Sequence, residues 1–144
     1  MGTLSPYIVA IASSWLIAQG TKYIISSVRS KTIKRNIRQL YLSGNMPSAH
    51  SATVASLLVV IGVQEGMGSA VFGLATLFCA IVMYDSFMVR RSSGEQGKAI
   101  EAMLAESKSN IRVPRIAKGH TPLEVLVGAL VGAIVGFITA YLIN

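Results

Sequence analysis

Four long runs of apolar residues are separated by segments that hold nearly all of the charged residues. The runs extend over Ser5–Val28, Pro47–Val63, Ser69–Val89 and Thr121–Ile143. A membrane-spanning helix needs roughly 20 predominantly apolar residues. The runs also lack the strict alternation of apolar and polar positions that is typical of strands. The pattern predicts an all-α integral membrane bundle of four transmembrane helices.

Two connecting segments have patterns of their own. The second and third runs are joined by the short turn 64–68, whose glycines suit a tight helical hairpin. In the third connection, the string 93–96 resembles a capping box, and Ile100, Met103 and Leu104 share one face of the helix that would follow. We expect a short amphipathic helix there, lying on the cytoplasmic membrane surface.

The composition agrees with membrane insertion. Of the 144 residues, 52% are hydrophobic and only 13% are charged, whereas soluble domains carry about a quarter charged residues. Residues 1–144 are expected to form a single membrane-embedded domain. The single cysteine, Cys79, excludes a disulfide framework and is interpreted as a small buried hydrophobe. No basic region precedes the first run, which we therefore interpret as a retained helix rather than a secretory signal.

The net charge of +7 is confined to one side of the predicted topology. Lysine and arginine occur near the inner end of the first run and in the first and third connections, and the opposite side carries Glu65 alone. The positive-inside rule makes the basic side cytoplasmic and places both termini outside, as expected for a multi-pass protein of the cell membrane. The basic residues either set this topology alone or also attract anionic lipid. Their distribution argues against a nucleic-acid partner.

The fourth run contains glycines at four-residue spacing, Gly128, Gly132 and Gly136. Small residues on one helical face let two helices approach closely. We expect this stripe to serve packing within the chain, with a homodimer interface as the alternative.

Ionisable residues gather at the predicted cytoplasmic ends of the helices. The two histidines of the chain, His50 and His120, open the second and fourth runs. Two imidazoles with nearby cations and helix N-termini are the groups needed for phosphoryl transfer through a phosphohistidine. The other ionisable residues at these ends are Lys22, Asp85, Arg90, Arg91 and Glu124.

Glu124 has two interpretations. Thr121-Pro122-Leu123-Glu124 forms a capping box with proline in the first turn, so Glu124 would serve only as a helix cap. However, Glu124 lies four residues after His120, and one helical turn brings its carboxylate to the ring. There it would fix the imidazole tautomer and support a developing positive charge.

Other members of the set also have structural interpretations. Ser48 is a suitable helix-start residue, and Asp85 is placed to pair with Arg90 or Arg91. Either histidine taken alone would be an interfacial residue. These interpretations do not explain why the ionisable groups near the spans gather at one face.

Three strings resemble the divergent branch of the type 2 phosphatidic acid phosphatase superfamily, small membrane proteins described as acid phosphatase/vanadium-dependent haloperoxidase-related. They are Met-Pro-Ser-Ala-His-Ser-Ala at 46–52, Tyr-Asp-Ser with Val-Arg-Arg and Gly-Glu-Gln within 84–96, and Gly-His-Thr-Pro-Leu-Glu-Val at 119–125. The similarity covers nearly the whole chain. Lys22 and Arg29 also match the spacing of the superfamily's first motif.

The chain departs from the wider superfamily at several positions. Ser30 stands where the superfamily has proline, and Ala49 replaces glycine. Glu124 replaces aspartate, and no Ser-Arg pair precedes His120 at the usual distance. Arg115 lies near His120 but is offset from that distance. We expect Arg90 or Arg91, which directly follow the third run, to be the arginine that binds the phosphoryl group.

The resemblance implies hydrolysis of a lipid phosphate monoester without metal or cofactor, as a step of phospholipid biosynthesis. By position, His120 would be the nucleophile, Glu124 its orienting partner and His50 the general acid and base. The residues that would surround the phosphate are Lys22, Ser48, Asp85, Arg90 and Arg91.

We therefore predict a membrane phosphatase with a cytoplasm-facing site, acting on a bilayer lipid of the phosphatidylglycerophosphate or phosphatidate type. The alternatives are a polyprenyl phosphate or diphosphate phosphatase and a non-catalytic lipid-binding scaffold. A small transporter is disfavoured, because the ionisable groups cluster at one face and no run is broken near its middle.

Overall fold

The computed structural model describes residues 4–29, 46–107, 111–112, 116 and 119–143. This part of the chain is all-α and contains no strand, as predicted. A π-helical segment, Asp85–Val89, joins the third helix to the fourth without a break. The helices are α1 Pro6–Arg29, α2 Ala49–Gln64, α3 Ala70–Tyr84, α4 Arg90–Glu106 and α5 Pro122–Leu142.

Hydroxyl side chains cap the starts of three helices. Ser48 caps α2, Ser69 caps α3 and Thr121 caps α5, each accepting a backbone N–H from three residues further on. These bonds satisfy amides that have no partner within the first helical turn. At α5 both bonds of the predicted capping box are present, so this helix begins where the sequence indicates.

Three helical stretches in the described part of the chain are long and apolar enough to cross a membrane: Pro6–Val28, Ala70–Glu106 and Pro122–Leu142. The fourth apolar helix, α2, has only 16 residues. Its length is about 24 Å, against a hydrocarbon core of roughly 30 Å. The chain is therefore a helical membrane protein, and full spanning by α2 stays a prediction.

The fourth helix begins earlier than expected. Residues 93–96 lie inside α4, because the helix continues from α3 through the π-helical segment over 37 residues. The amides of residues 93–96 therefore belong to a helix interior, and the expected helix start at Ser93 is wrong. Ile100 and Met103 are exposed, and contact of this face with the membrane surface stays a prediction.

The glycine stripe of α5 packs against α2. A Cβ at Gly128 or Gly132 would collide with the carbonyl oxygen of Ser48 or Ala52, and all three glycines of the stripe are buried. Such contact is possible only because these positions lack side chains. The prediction that the stripe serves packing within the chain is confirmed, and a homodimer would have to use another face.

Polar contacts fix the positions of the helix ends relative to one another. The Ser14 and Ser56 hydroxyls lie 2.8 Å apart between α1 and α2. At one end of the bundle, the Tyr7 hydroxyl donates to Glu65. The opposite end therefore brings together the last turns of α1, the first turns of α2 and α5, and the junction of α3 and α4.

Candidate active site

Six ionisable residues meet at the end of the bundle where α2 and α5 begin. The positive charges of Lys22 and Arg90 act on both histidine rings, and the two rings are close enough for the charge of one to act on the other. Asp85 acts on one ring and Glu124 on the other. We call this set the polar cluster: Lys22, His50, Asp85, Arg90, His120 and Glu124.

His120 is held by the first turn of α5. Its ring is buried, and Nδ1 lies 3.0 Å from Oε2 of Glu124. The same carboxylate oxygen accepts the Thr121 N–H at 3.0 Å, which is one half of the capping box. Glu124 therefore caps the helix and contacts the ring at once. A ring that donates from Nδ1 keeps a lone pair on Nε2.

The π-helical segment anchors the backbone of His120. The Arg90 N–H bonds the carbonyl of Asp85, five residues back, instead of the carbonyl of Ser86 that an α-helix would use. The Ser86 carbonyl accepts the His120 N–H at 3.0 Å. This change of register therefore ties the start of α5 to the junction of α3 and α4.

Gly119 permits this close approach. A Cβ at position 119 would collide with the backbone nitrogen of Arg91. Any larger residue would therefore displace the chain at the site where His120 joins the polar cluster. Gly119 precedes the histidine in the sequence, but only the tertiary contact shows why the position requires glycine.

The two candidate arginines have different surroundings. Arg90 Nε lies 2.7 Å from Oδ2 of Asp85 within the polar cluster. Arg91 Nε lies 3.2 Å from Oε1 of Glu95, on the next turn of α4. The predicted pairing of Asp85 is confirmed, with Arg90 as its partner. Both pairs are substantially exposed, and such pairs contribute at most about 1 kcal/mol, so they position the guanidinium groups more than they stabilise the fold.

A pocket of about 310 Å³ lies between α4 and the segment that leads into α5. His120 contributes to its wall and also belongs to the polar cluster. Charged side chains of α4 form the opposite wall. The lining residues are Arg91, Gly94, Glu95, Lys98, Ile116, Gly119, His120 and Thr121.

Ser48 has a structural role at the start of α2. Its buried hydroxyl accepts the Ser51 N–H at 3.3 Å and the Ser51 hydroxyl at 2.9 Å. Its backbone N–H donates to the carbonyl of Glu124 at 3.1 Å, which joins the start of α2 to the first turn of α5. The helix-start interpretation of Ser48 is confirmed.

Several predicted features lie away from the polar cluster or outside the described residues. Ser30 and the basic residues of the first connection fall in 30–45, and the Arg29 side chain is also outside the description. Cys79 is a buried free thiol, as expected. In the part of the chain that the structure describes, no three His, Cys, Asp or Glu residues are grouped as metal ligands.

Burial lowers the pKa of His120 from its usual value near 6.5, and the hydrogen bond to Glu124 only partly opposes this shift. Its ring is therefore neutral in the folded protein at pH values where the unfolded chain already takes up a proton. We expect the stability contributed by His120 to fall as the pH drops through about 6.5 and to level off below the lowered pKa.

The measurement compares thermal unfolding midpoints of wild type and His120→Gln in detergent between pH 8 and pH 5. The midpoint of wild type should fall relative to the variant toward acid pH. A rise relative to the variant would mean that the folded protein binds the proton more tightly than the unfolded chain.

The fold defines a helical membrane protein in which two histidines, two carboxylates and two cations meet at one end of the bundle. The sequence profile of the divergent PAP2 family matches residues 4–135, and the chain belongs to this family. The chain is also similar to the uncharacterized membrane protein YuiD of Bacillus subtilis (strain 168), with 31% identity over 69% of this chain and 72% of YuiD. No solved structure matches the chain.

Two residues of the site received no role from the sequence. Gly119 and Ser86 both lie within the recognised strings, but neither carries a group that a charge pattern would single out. Their importance comes from backbone contacts between α5 and the π-helical segment.

Proposed function

We propose that the protein is a lipid phosphate phosphatase that hydrolyses a phosphomonoester through a phosphohistidine intermediate, without a metal ion. The observation that carries this proposal is the 3.0 Å contact between His120 Nδ1 and the Glu124 carboxylate. It supplies a buried imidazole with a fixed tautomer beside a second histidine and two cations. Membership of the divergent PAP2 family supports the same chemistry.

In the first step, the lone pair of His120 Nε2 attacks phosphorus. The bond between phosphorus and the ester oxygen breaks, and the protonated His50 ring gives its proton to the departing alkoxide. The His120 ring becomes positively charged as the phosphorus–nitrogen bond forms. The Glu124 carboxylate stabilises this charge through Nδ1–H.

In the second step, the now neutral His50 takes a proton from water. The hydroxide that forms attacks phosphorus and breaks the phosphorus–nitrogen bond, which releases inorganic phosphate and restores neutral His120. His50 ends the cycle protonated, as it began, so the protons and the phosphoryl group both balance.

The phosphoryl oxygens are negatively charged and need cations and hydrogen-bond donors. Lys22 and Arg90 supply the charge within the polar cluster, and the free proton of the Ser48 hydroxyl supplies a donor. Asp85 is an anion, and we assign it the task of holding Arg90 through the 2.7 Å ion pair. Arg91 lines the adjoining pocket, where it would bind more distant parts of the substrate headgroup.

The location of the polar cluster supports a lipid substrate. It lies at the ends of apolar helices whose outer faces would be in contact with acyl chains. With the basic connections on the cytoplasmic side and the termini outside, the site faces the inner leaflet. Phosphatidylglycerophosphate and phosphatidate are the proposed substrates.

Phosphate release from a panel of lipid phosphates tests this function, using detergent-purified protein in the presence of a chelator. The panel includes phosphatidylglycerophosphate, phosphatidate, and a polyprenyl phosphate and diphosphate. Release without metal supports the proposal, and the order of rates identifies the substrate class. If no member of the panel is hydrolysed but the lipids bind, the protein is a lipid-binding scaffold.

The His50→Gln variant should separate the two steps. Loss of general acid–base catalysis slows lipid ester hydrolysis by about 10²- to 10⁴-fold. For an aryl phosphate, whose leaving group needs no proton, the first step should be much less affected. The phosphoenzyme should then accumulate, because water activation is also impaired.

Rapid mixing with an aryl phosphate measures the initial burst of the phenol and the slow steady rate that follows. The expected result is a burst of close to one phenol molecule per protein molecule, followed by slow turnover. Equal loss of burst and turnover would exclude His50 as the acid for the leaving group.

A further inference from the structure

The hydroxyl of Ser86 is buried without a hydrogen-bond partner. The residue is 2% exposed, and its Oγ bonds to none of the described residues. Buried hydroxyls in proteins are nearly always hydrogen-bonded, since an unpaired one loses its bonds to water and gains nothing in return. This hydroxyl therefore needs an explanation.

Other hydroxyls in these helices behave differently. The side chains of Ser13, Thr53 and Thr139 each donate to the carbonyl four residues earlier, at 2.7 to 2.8 Å. Ser86 is the second residue of the π-helical segment. The carbonyl of Val82, four residues before it, already accepts the Asp85 N–H. The Ser86 hydroxyl nevertheless makes no bond to the Val82 carbonyl, unlike the other three hydroxyls.

Ser86 also lies at the proposed catalytic centre. Its carbonyl accepts the His120 N–H at 3.0 Å, so its backbone is directly bonded to the proposed nucleophile. Its neighbour Asp85 belongs to the polar cluster and holds Arg90. π-helical turns occur frequently at functional sites. The unpaired hydroxyl therefore belongs to a residue that is bonded to the proposed nucleophile and is adjacent in sequence to the polar cluster.

We propose that Ser86 is a further phosphate-binding residue, whose hydroxyl donates to a phosphoryl oxygen once the substrate occupies the polar cluster. The inference rests on the proposed phosphatase function and adds to it a donor from the π-helical segment. A hydroxyl without a partner in the free protein forms its hydrogen bond only on binding. The full strength of a bond to a charged acceptor then contributes to affinity for the substrate.

Orthovanadate, a mimic of the transferring phosphoryl group, is the probe for this proposal. Its dissociation constant is measured by calorimetry on the wild type and on Ser86→Ala, Ser86→Cys and Thr139→Val. The Ser86 variants should bind vanadate roughly 10- to 100-fold more weakly, as expected for the loss of one hydrogen bond to a charged group. Thr139→Val also removes a buried hydroxyl, but near the opposite end of α5, and should bind vanadate like the wild type.

Thermal stability distinguishes a phosphate-binding role of Ser86 from a structural role. The unliganded Ser86→Ala protein should unfold at the wild-type temperature or above it, because no bond is lost, whereas Thr139→Val should unfold at a lower temperature. The stabilisation by vanadate should be smaller in both Ser86 variants than in the wild type.

Unchanged vanadate affinity in the Ser86 variants would overturn the inference, whatever their stability. Failure of both variants to fold would also overturn it, since the hydroxyl would then be structurally required. If the wild type binds vanadate and releases phosphate, and the Ser86 variants bind vanadate with the same affinity, only the role of Ser86 is contradicted. A wild type that does neither contradicts the phosphatase function itself.

Discussion

The His120→Gln variant is expected to release phosphate from lipid monoesters at least about 10³-fold more slowly than the wild type, because it lacks the attacking nitrogen. Glutamine is close to histidine in size, and its amide can still donate to the Glu124 carboxylate. The cap of α5 and the contact between Thr121 and Glu124 do not depend on the ring. The variant should therefore fold and still bind substrate.

The measurement follows phosphate release from the lipid, and covalent labelling by an aryl phosphate that carries a radioactive phosphoryl group. Wild type should acquire an acid-labile, base-stable label typical of phosphohistidine, and His120→Gln should acquire none. The His50→Gln protein is the matched control, since it should be labelled but turn over slowly. Label that persists in His120→Gln would assign the nucleophile to another residue.

The Gly132→Val variant is expected to show the largest loss of stability, of about 3 kcal/mol or more. A Cβ at this position meets the backbone carbonyl of Ala52, so the two helices must separate instead of rotating a side chain. Overpacking of a core typically costs about 1–3 kcal/mol, and a backbone collision has fewer ways to relax. Separation of α2 and α5 would also pull His50 from His120 and abolish activity.

Gly73→Ala provides the control for this prediction. Gly73 lies in α3, and a Cβ there has no neighbour within 4 Å. Alanine favours helix over glycine by about 1 kcal/mol, so this variant should be as stable as the wild type or more stable. Thermal unfolding in detergent, followed by circular dichroism, compares the two variants. A Gly132→Val protein with wild-type stability would show that α2 and α5 are not in close contact.

Features that depend on local sequence were predictable. The capping box at Thr121 and the glycine stripe of α5 each follow from residues a few positions apart, and both are present as predicted. The gathering of ionisable groups at one end followed from the positions of the four apolar runs. It required only that consecutive helices run in opposite directions.

The π-helical segment was not predictable in the same way. Its register is coupled to a tertiary bond, in which the Ser86 carbonyl accepts the N–H of a residue 34 positions away, His120. The sequence around Asp85 contains no proline or glycine that would indicate an irregular turn. For the same reason, the start predicted for the amphipathic helix was wrong, because the helix continues through this turn.

The choice between Arg90 and Arg91 also depends on this segment. Consecutive residues of a helix point about 100° apart, so the two arginines cannot face the same side. The widened turn changes the direction in which all later residues point, and an ideal helix would assign their faces incorrectly. Geometry places Arg90 in the polar cluster and Arg91 in the adjoining pocket.

One oxygen atom, Oε2 of Glu124, accepts both the ring of His120 and the backbone N–H of Thr121. The wider superfamily has aspartate at this position, and a side chain shorter by one methylene would have to give up one of the two bonds. Mutational drift from glutamate to aspartate in this chain would therefore impair either the nucleophile or the helix start. An evolutionary path between the two branches therefore needs a compensating change at the helix cap. The length of this side chain distinguishes two ways of holding the histidine at the start of the helix.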